Sequence, residues 1–184
     1  MKRRFFVYLH ILAVLAMLGL TGCSRTAEDV EKWKASGNVE KLIKALADPK
    51  YEVRLPAAEA LGELKAERAV DSLAALYNDP ETDIVMAAVE ALANIATPST
   101  ITPLSAALKL EPVESRKLAA ETLGKMKAVG AVPQLTEALG DADESVQLAA
   151  ALSIGQIGDE SGSEGLAGKL NAASSELRKT CAVA

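Results

Sequence analysis

The sequence predicts an all-α fold, a right-handed solenoid of helical hairpins that follows an N-terminal signal peptide. Three observations predict it: apolar residues recur with a period of 31, each period holds two runs with helical spacing, and a basic and apolar leader precedes them. A single short hairpin cannot bury its apolar face, so successive hairpins must stack around one continuous core.

The leader occupies residues 1–22 and has the composition of a targeting signal. Residues 1–4 carry three basic side chains, and the mostly apolar residues 5–20 follow them. This apolar stretch is shorter than the roughly 20 residues that a transmembrane helix needs. We therefore predict a signal peptide that is cleaved from the mature chain.

The leader ends in Leu-Thr-Gly-Cys, residues 20–23, which resembles the lipobox of bacterial lipoproteins. The resemblance implies cleavage between Gly22 and Cys23, a diacylglyceryl group on the Cys23 sulfur and stable anchoring in an envelope membrane. Residues 23–26 then form a short tether. Because Ser24 follows the cysteine in place of Asp, the resemblance further implies export to the outer membrane, facing the periplasm. The alternative is an ordinary signal peptide followed by a cysteine without a role.

The mature chain is acidic. Without residues 1–22 it keeps 17 basic and 25 acidic residues, a net charge of 17 − 25 = −8. Affinity for nucleic acid depends mainly on Lys and Arg side chains that neutralise phosphates. The charge balance therefore excludes nucleic acid as a partner.

The mature chain offers few groups for catalysis. It has no histidine, because His10 lies in the leader, and its two cysteines, Cys23 and Cys181, lie at opposite ends. Cys181 falls in a repeat column of alanines, which favours a small buried residue over a nucleophile. No glycine-rich phosphate loop or metal-ligand spacing occurs, so we predict a protein that is not an enzyme and uses no cofactor, metal or small-molecule substrate.

A capping helix is expected before the repeats, within residues 27–37. Gly37 would close it, and Asn38 would be the N-cap of the following helix. Trp33, the only tryptophan, would cover the exposed end of the solenoid core.

The repeats are predicted from residue 38 to residue 184. One repeat column contains Val39, Val70, Ile101 and Val132, and another contains Leu42, Leu73, Leu104, Leu135 and Leu166. A column of small residues late in the second helices contains Gly62, Ala93, Gly124 and Gly155 and predicts close helix packing. The expected units are residues 38–68, 69–99, 100–130, 131–161 and 162–184, of which the last is incomplete.

The segment Ala-Ala-Glu-Ala-Leu-Gly, residues 57–62, and the unit at residues 131–159 resemble the short HEAT repeat of the phycobilisome-lyase type. The resemblance extends over residues 38–184 and implies that the second helices line a concave face. Partner-binding residues predicted on that face are Leu55, Glu59, Glu63, Met86, Glu90, Asn94, Lys117, Glu121, Lys125 and Leu148. They form an acidic strip with apolar neighbours that could receive a basic peptide; the alternative is an ordinary solvated helix face.

A ladder of arginines forms a separate pattern near the turns. It contains Arg54, Arg116 and Arg178, which we expect to face Asp48, Glu111 and neighbouring residues. In HEAT-like repeats such Asp–Arg pairs hold adjacent units together. The resemblance therefore implies a structural role for the ladder.

The predicted function is a membrane-anchored, non-catalytic scaffold or adaptor that binds a protein or peptide through its concave face. Two alternatives stay open. One is a bilin lyase-like enzyme or enzyme subunit, which the repeat type suggests although fold alone does not determine function. The other is an architectural protein of the cell envelope without a defined ligand groove.

Overall fold

The computed structural model describes residues 25–169 and 175–183, and these residues form helices and turns without a strand. The all-α prediction is confirmed. The predicted signal peptide, Cys23 and Ser24 lie outside the described residues. No helix in the described part of the chain combines the length and the apolar character needed to cross a membrane.

The helices alternate between a first and a second position in each hairpin. Helix α1 (Ala27–Ala35) precedes the repeats. The first helices are α2 (Val39–Ala45), α4 (Val70–Ala74), α6 (Ile101–Ala107), α8 (Val132–Ala138) and α10 (Glu160–Gly168). The second helices are α3 (Tyr51–Glu63), α5 (Thr82–Ile95), α7 (Val113–Lys125), α9 (Glu144–Ile157) and α11 (Ser175–Val183). Short 3-10 segments at Glu67–Ala69, Ala75–Asn78, Pro98–Thr100 and Val129–Ala131 complete the connections.

The 31-residue period is confirmed by the helix boundaries themselves. Helices α2, α4, α6 and α8 each begin at the predicted Val or Ile column, and the second helices α3, α5, α7 and α9 also begin 31 residues apart. The core follows the same period. Fully buried side chains come from the first-helix column of Leu42, Leu73, Leu104 and Leu135, and from the second-helix column of Leu61, Leu92 and Leu123.

Helix α1 packs against α3 in the way that successive second helices pack against one another. It therefore extends the row of second helices at the N-terminal end. Thr26 and Asp29 form a capping box at its start, and Gly37 ends it with a φ of +63°. The Asn38 side chain accepts a hydrogen bond from the Lys41 amide at 3.1 Å, so Asn38 is the predicted N-cap of α2.

The predicted cover over the end of the core is provided by two residues of α1. Val30 is fully buried, and Trp33 is half-buried and packs against the core. The ammonium group of Lys41 lies 5.8 Å from the centroid of the Trp33 ring, within the range of a cation–π contact. One face of α1 therefore closes the core while its other side faces solvent.

Second helices approach most closely where a glycine of one faces a small residue of the next. A Cβ atom added to Gly62 would lie 2.6 Å from the Cα atom of Ala91, and one added to Gly124 would lie 2.6 Å from the Ser153 hydroxyl oxygen. Neither position has space for a methyl group, because real Cβ atoms do not approach other heavy atoms so closely. The predicted close packing is confirmed for α3 on α5 and for α7 on α9.

The step from α5 to α7 is less tightly packed than these two steps. At this step the column of Gly62 and Gly124 contains Ala93. The residue that faces it is Thr122, which is larger than its counterparts Ala91 and Ser153 at the other two steps. The additional Cβ and methyl groups keep the two helices further apart. The four complete hairpins are therefore arranged as two closely packed pairs with a wider step between them.

Two glycines of α10 also have a packing role. A side chain at Gly162 would collide with Ile154 of α9, and a Cβ at Gly165 would lie 2.6 Å from the Thr136 methyl group of α8. Glycine weakens a helix in isolation. Here it allows α10 to lie directly against the preceding hairpin, which compensates for the lower helix propensity.

We expect Gly62→Ala to lower the free energy of unfolding by about 1–3 kcal/mol, because the added methyl group overpacks the α3–α5 contact. Alanine is the better helix former by about 1 kcal/mol, so local propensity alone predicts the opposite sign. Urea unfolding followed by circular dichroism measures the difference.

Gly168→Ala is the matched control for this substitution. Gly168 is also helical, but a Cβ at this position would meet no atom within 4 Å. The control should be neutral or slightly stabilising. Equal effects at the two glycines would contradict the role assigned to the small-residue column.

Candidate partner-binding face

The solvent-accessible columns of α3, α5, α7 and α9 form one continuous surface, which we name the second-helix face. The predicted partner-binding residues all lie on it. Its exposed members are Glu59, Glu63, Glu90, Asn94, Lys117 and Lys125, and its half-buried members are Leu55, Met86, Glu121 and Leu148. Both groups follow from helical geometry, because residues four apart lie above one another on the same side of a helix.

The half of this face formed by α3 and α5 is acidic. Its carboxylates are Glu52, Glu59, Glu63, Asp83 and Glu90, and its only basic side chain, Arg54, is held by an ion pair elsewhere. Within the described residues, no hydrogen bond or ion pair involves the side chains of the exposed Glu59 and Glu90. Two charges on this half are therefore available to a partner.

Other acidic residues of the same half already have partners within the protein. Glu63 forms an ion pair of 2.6 Å with Lys34 of α1, and the hydrogen bond in this pair raises the pKa of the Lys34 ammonium group. The Tyr51 hydroxyl donates to Asp83 at 3.3 Å, across the α3–α5 step. Partial burial and the Asp83 charge raise the pKa of Tyr51.

The half formed by α7 and α9 has a different chemistry. A cleft of about 330 Å³ lies between these helices and brings together four predicted residues: Lys117, Glu121, Lys125 and Leu148. Its remaining lining residues are Ser145, Ala149, Leu152, Ser153 and Gln156. Most of the lining surface is apolar, and Lys117, Glu121 and Lys125 are its charged residues.

A second cleft of about 450 Å³ lies beside the first, between α9 and α11. Its lining residues are Leu152, Gly155, Gln156, Glu176, Lys179, Thr180 and Val183. Leu152 and Gln156 belong to both clefts and form the ridge between them. The two clefts and this ridge form one depression in the C-terminal half of the face.

Leu152 is a candidate site residue that sequence reasoning missed. Its side chain is 53% exposed, although leucine is usually buried. It occupies the column of Glu59, Glu90 and Glu121. A large apolar residue in an otherwise acidic and exposed column is the signal that could have identified it.

Met86 is less available than its predicted role requires. Its sulfur accepts a hydrogen bond of 3.2 Å from the hydroxyl group of Ser115, a fully buried residue of α7. Met86 therefore contributes to the α5–α7 step as well as to the surface. Leu55, in the same column, also packs against the core.

The arginine ladder lies near the turns, where it ties each hairpin to the next. Arg54 donates through Nε and Nη2 to the two carboxylate oxygens of Asp79, at 2.8 and 3.0 Å. Arg116 makes the same bidentate contact with Asp141, with both distances 2.8 Å. The Nη1 atom of each arginine also donates to two backbone carbonyl oxygens of its own hairpin.

Arg54 and Arg116 lie against the expected residues Asp48 and Glu111, but they contact only the backbone carbonyl oxygens of these residues. Their ion pairs are formed with Asp79 and Asp141 of the following unit. The Asp48 carboxylate instead binds Arg25, at 3.2 Å. Each arginine therefore lies between the turn of its own hairpin, which it binds through Nη1, and the turn of the next hairpin, which it binds through Nε and Nη2.

The first two members of the ladder lie between adjacent units. The Arg54–Asp79 and Arg116–Asp141 pairs are largely buried, and each links adjacent units. The third member, Arg178, lies on α11.

Two steps of the ladder lack an ion pair. At the step between the second and third units the equivalent positions hold Val85 and Leu110, which is the step where α5 and α7 are less tightly packed. In α9 the equivalent position holds the uncharged Gln147, which donates to the Asp141 carbonyl oxygen at 2.6 Å and so keeps the backbone contact. The ladder is therefore discontinuous at the wider step.

Carboxylates at the turns are stabilised in their charged forms. The hydrogen bond from Arg116 lowers the pKa of Asp141 below its usual value. Hydrogen bonds from the Ser145 hydroxyl and amide groups lower the pKa of Asp143, and Ser161 does the same for Asp159. Asp143 and Asp159 are the N-caps of α9 and α10, where a negative charge is favoured.

The described residues contain no group of three or more His, Cys, Asp or Glu side chains that could hold a metal ion. The backbone of Cys181 lies in α11. The arrangement on the second-helix face is thus one of surface charges and an apolar depression, which are features of a binding surface.

The fold and this face define the molecule as an α-solenoid repeat protein. The chain belongs to the HEAT-repeat family, whose model matches residues 39–121 and 104–184. The resemblance to HEAT repeats is therefore confirmed. Repeat solenoids of this type present extended surfaces that typically bind other proteins. A comparison with curated proteins found no match.

Several solved structures share the fold. The Escherichia coli protein YibA aligns with a TM-score of 0.61 at 19% identity, over 83% of this chain and 61% of that chain. The complex of CpcE and CpcF of phycocyanin lyase from Nostoc sp. aligns with a TM-score of 0.56 at 25% identity, over 84% and 66%. A designed armadillo repeat protein in complex with the peptide (KR)4 aligns with a TM-score of 0.55 at 22% identity, over 87% and 85%.

We expect Arg116→Val to lower the free energy of unfolding by about 2–4 kcal/mol, because it leaves Asp141 and two carbonyl oxygens without their donor. The double variant Arg116→Val, Asp141→Leu should recover part of this loss, since it copies the natural Val85 and Leu110 step. Recovery should be incomplete because Asp141 also accepts a hydrogen bond from the Asp143 amide. Urea unfolding of the single and double variants tests this. A double variant no more stable than Arg116→Val would contradict it.

Proposed function

We propose that this protein is a membrane-anchored, non-catalytic scaffold whose second-helix face binds a basic segment of a partner protein. One observation carries the proposal: among the described residues, α3 and α5 present Glu59 and Glu90 to solvent without an ion pair or side-chain hydrogen bond, and the nearby cations Lys34 and Arg54 are paired with other carboxylates. Lys and Arg side chains of a partner would complement this charge, with the greatest effect on the association rate at low salt.

The repeat architecture supports a binding role. Adjacent second helices present the same surface column at intervals of about 8–10 Å, the usual spacing of packed helices, and the widest interval is the one between α5 and α7. An extended segment lying across them can therefore meet one carboxylate at each step. The designed armadillo protein that holds (KR)4 illustrates that a solenoid of this fold can bind a basic peptide.

Anchoring is proposed from the lipobox. With Cys23 as the first mature residue, only three residues separate the lipid from α1, which begins at Ala27. A chain of this length reaches about 10 Å when extended. The lipid would be inserted in the outer membrane, and the solenoid would lie close to the periplasmic surface of that membrane. The partner would be recruited there.

A second candidate is a lyase-like enzyme subunit, which the similarity to CpcE and CpcF favours. The proposed export separates this chain from a cytoplasmic chromophore reaction. Co-expression with a bilin and its acceptor protein distinguishes the two candidates, because only a lyase subunit increases chromophore attachment.

We expect Glu59→Lys, Glu90→Lys to reduce the affinity of the mature chain for a fluorescent Lys- and Arg-rich peptide by at least about tenfold. The variant replaces two attractive contacts with repulsive ones, each worth about 1 kcal/mol at an exposed site. Fluorescence anisotropy measures the affinity, and the effect should shrink as salt is added.

The matched control is Asp71→Lys, Glu164→Lys. It changes the net charge by the same amount at exposed positions of the first helices α4 and α10. We expect the control to bind the peptide within about twofold of the unmodified chain, since only long-range charge differs. Equal losses in both variants would show that binding follows net charge and would overturn the proposed face.

We expect Cys23→Ser to abolish incorporation of a labelled fatty acid and to release the protein from the membrane fraction. Cys181→Ser, which changes the chain's other cysteine, should retain both the label and the membrane association. Metabolic labelling with cell fractionation provides the measurement. A Cys23→Ser protein that still carries the label would contradict the proposed anchor.

A further inference from the structure

The C-terminal half of the second-helix face carries an exposed apolar ridge between two clefts. Leu152 forms the ridge, and Leu148 contributes to the wall of the α7–α9 cleft. Most other large apolar residues of the described chain are buried or packed against the core. Exposed apolar groups gathered around a depression indicate an interaction site more strongly than scattered ones do.

The α7–α9 cleft of this depression carries a net positive charge, from Lys117 and Lys125 against Glu121. At the α9–α11 cleft Lys179 and Glu176 form an ion pair of 3.9 Å and balance each other. The α3–α5 half of the same face is acidic. Basic residues that bind over α3 and α5 would therefore be repelled at α9, while an uncharged apolar side chain would be accepted there.

We propose that the second-helix face binds a single extended segment of the partner in which two basic residues are followed at a fixed distance by one large apolar residue. The basic residues contact Glu59 and Glu90, and the apolar side chain enters the α7–α9 cleft beside Leu152. This inference rests on the proposed function and specifies the chemistry of the partner. It adds an apolar contact to a site that otherwise binds its partner through opposite charges.

The spacing of the contacts follows from the column that contains Glu59, Glu90, Glu121 and Leu152. Packed helices are about 8–10 Å apart, and an extended polyproline II segment advances about 9 Å in three residues, with every third side chain on the same side. At the wider α5–α7 step a fully extended chain advances about 10 Å over three residues. Segment positions i, i+3, i+6 and i+9 therefore meet the four column members in order. Basic residues belong at i and i+3, and the apolar anchor belongs at i+9.

The intermediate position i+6 meets Glu121, which is half-buried. Lys117 and Lys125 line the same cleft and offset its charge. A small uncharged residue suits this position better than a third cation. The segment is thus charged at one end and apolar at the other, which also determines the direction in which it lies across the helices.

The test uses two fluorescent peptides that are identical except at i+9, where one carries leucine and the other serine. Both carry arginine at i and i+3. On the unmodified mature chain we expect the leucine peptide to bind about tenfold more tightly, since burying a leucine side chain contributes at least this much affinity. A third peptide with the order of residues reversed should lose this advantage.

The matched variants are Leu152→Asp and Val129→Asp. Both residues are similarly exposed, 53% and 55%, but Val129 lies in the turn before α8, away from the clefts. Leu152→Asp should bind the two peptides equally, and Val129→Asp should keep the tenfold difference. Thermal unfolding verifies that each variant is folded, and Leu152→Ser provides a milder second variant at the ridge.

The outcomes separate this inference from the proposed function. If the two peptides bind equally to the unmodified chain, and Glu59→Lys, Glu90→Lys weakens both, the anchor is wrong while the acidic site stands. If neither peptide binds, both proposals are overturned. If sedimentation shows that Leu152→Asp converts a dimer to a monomer, a second copy of the chain covers the ridge, and the peptide anchor is again overturned.

Discussion

The close contact between successive second helices is the constraint on which the rest of this structure depends. Each hairpin is too short to bury its apolar residues alone, so stability comes from stacking. At Gly62 the absence of a side chain lets the backbone of the next helix approach directly, and at Gly124 it leaves room for the Ser153 side chain. This contact determines the spacing between hairpins, and the spacing in turn arranges the exposed residues of separate helices into rows.

The same constraint explains why the solenoid has two halves. Ala93 and Thr122 place additional atoms between α5 and α7, and at this step the buried ion pair of the ladder is replaced by Val85 and Leu110. The α5–α7 step therefore lacks both the close helix contact and the buried Arg–Asp ion pair. The surface chemistry changes there too, from the acidic α3–α5 half to the apolar cleft with its lysines. A segment that binds along the whole face would connect the two halves.

Family membership determines less about function than the exposed columns do. HEAT repeats share a fold that serves many different partners. The buried columns of Leu, Ala and Gly are needed for stacking and carry no information on what is bound. Specificity must come from the outward columns, where this chain places Glu59 and Glu90 in one half and Leu152 in the other. The proposed lipid on Cys23 would decide where that surface operates.

The sequence by itself determined the period, the two-helix repeat and the columns of the core, because apolar periodicity and turn residues are local signals that stacking reinforces. It also identified Asn38 as a cap and the Gly62 column as a close contact. It did not identify the carboxylates that pair with Arg54 and Arg116, since these lie one unit further along and depend on the direction of each side chain. Only the tertiary structure decided that Leu152 is exposed between two clefts. Its exposure depends on how α7, α9 and α11 are spaced, and no local pattern encodes that spacing.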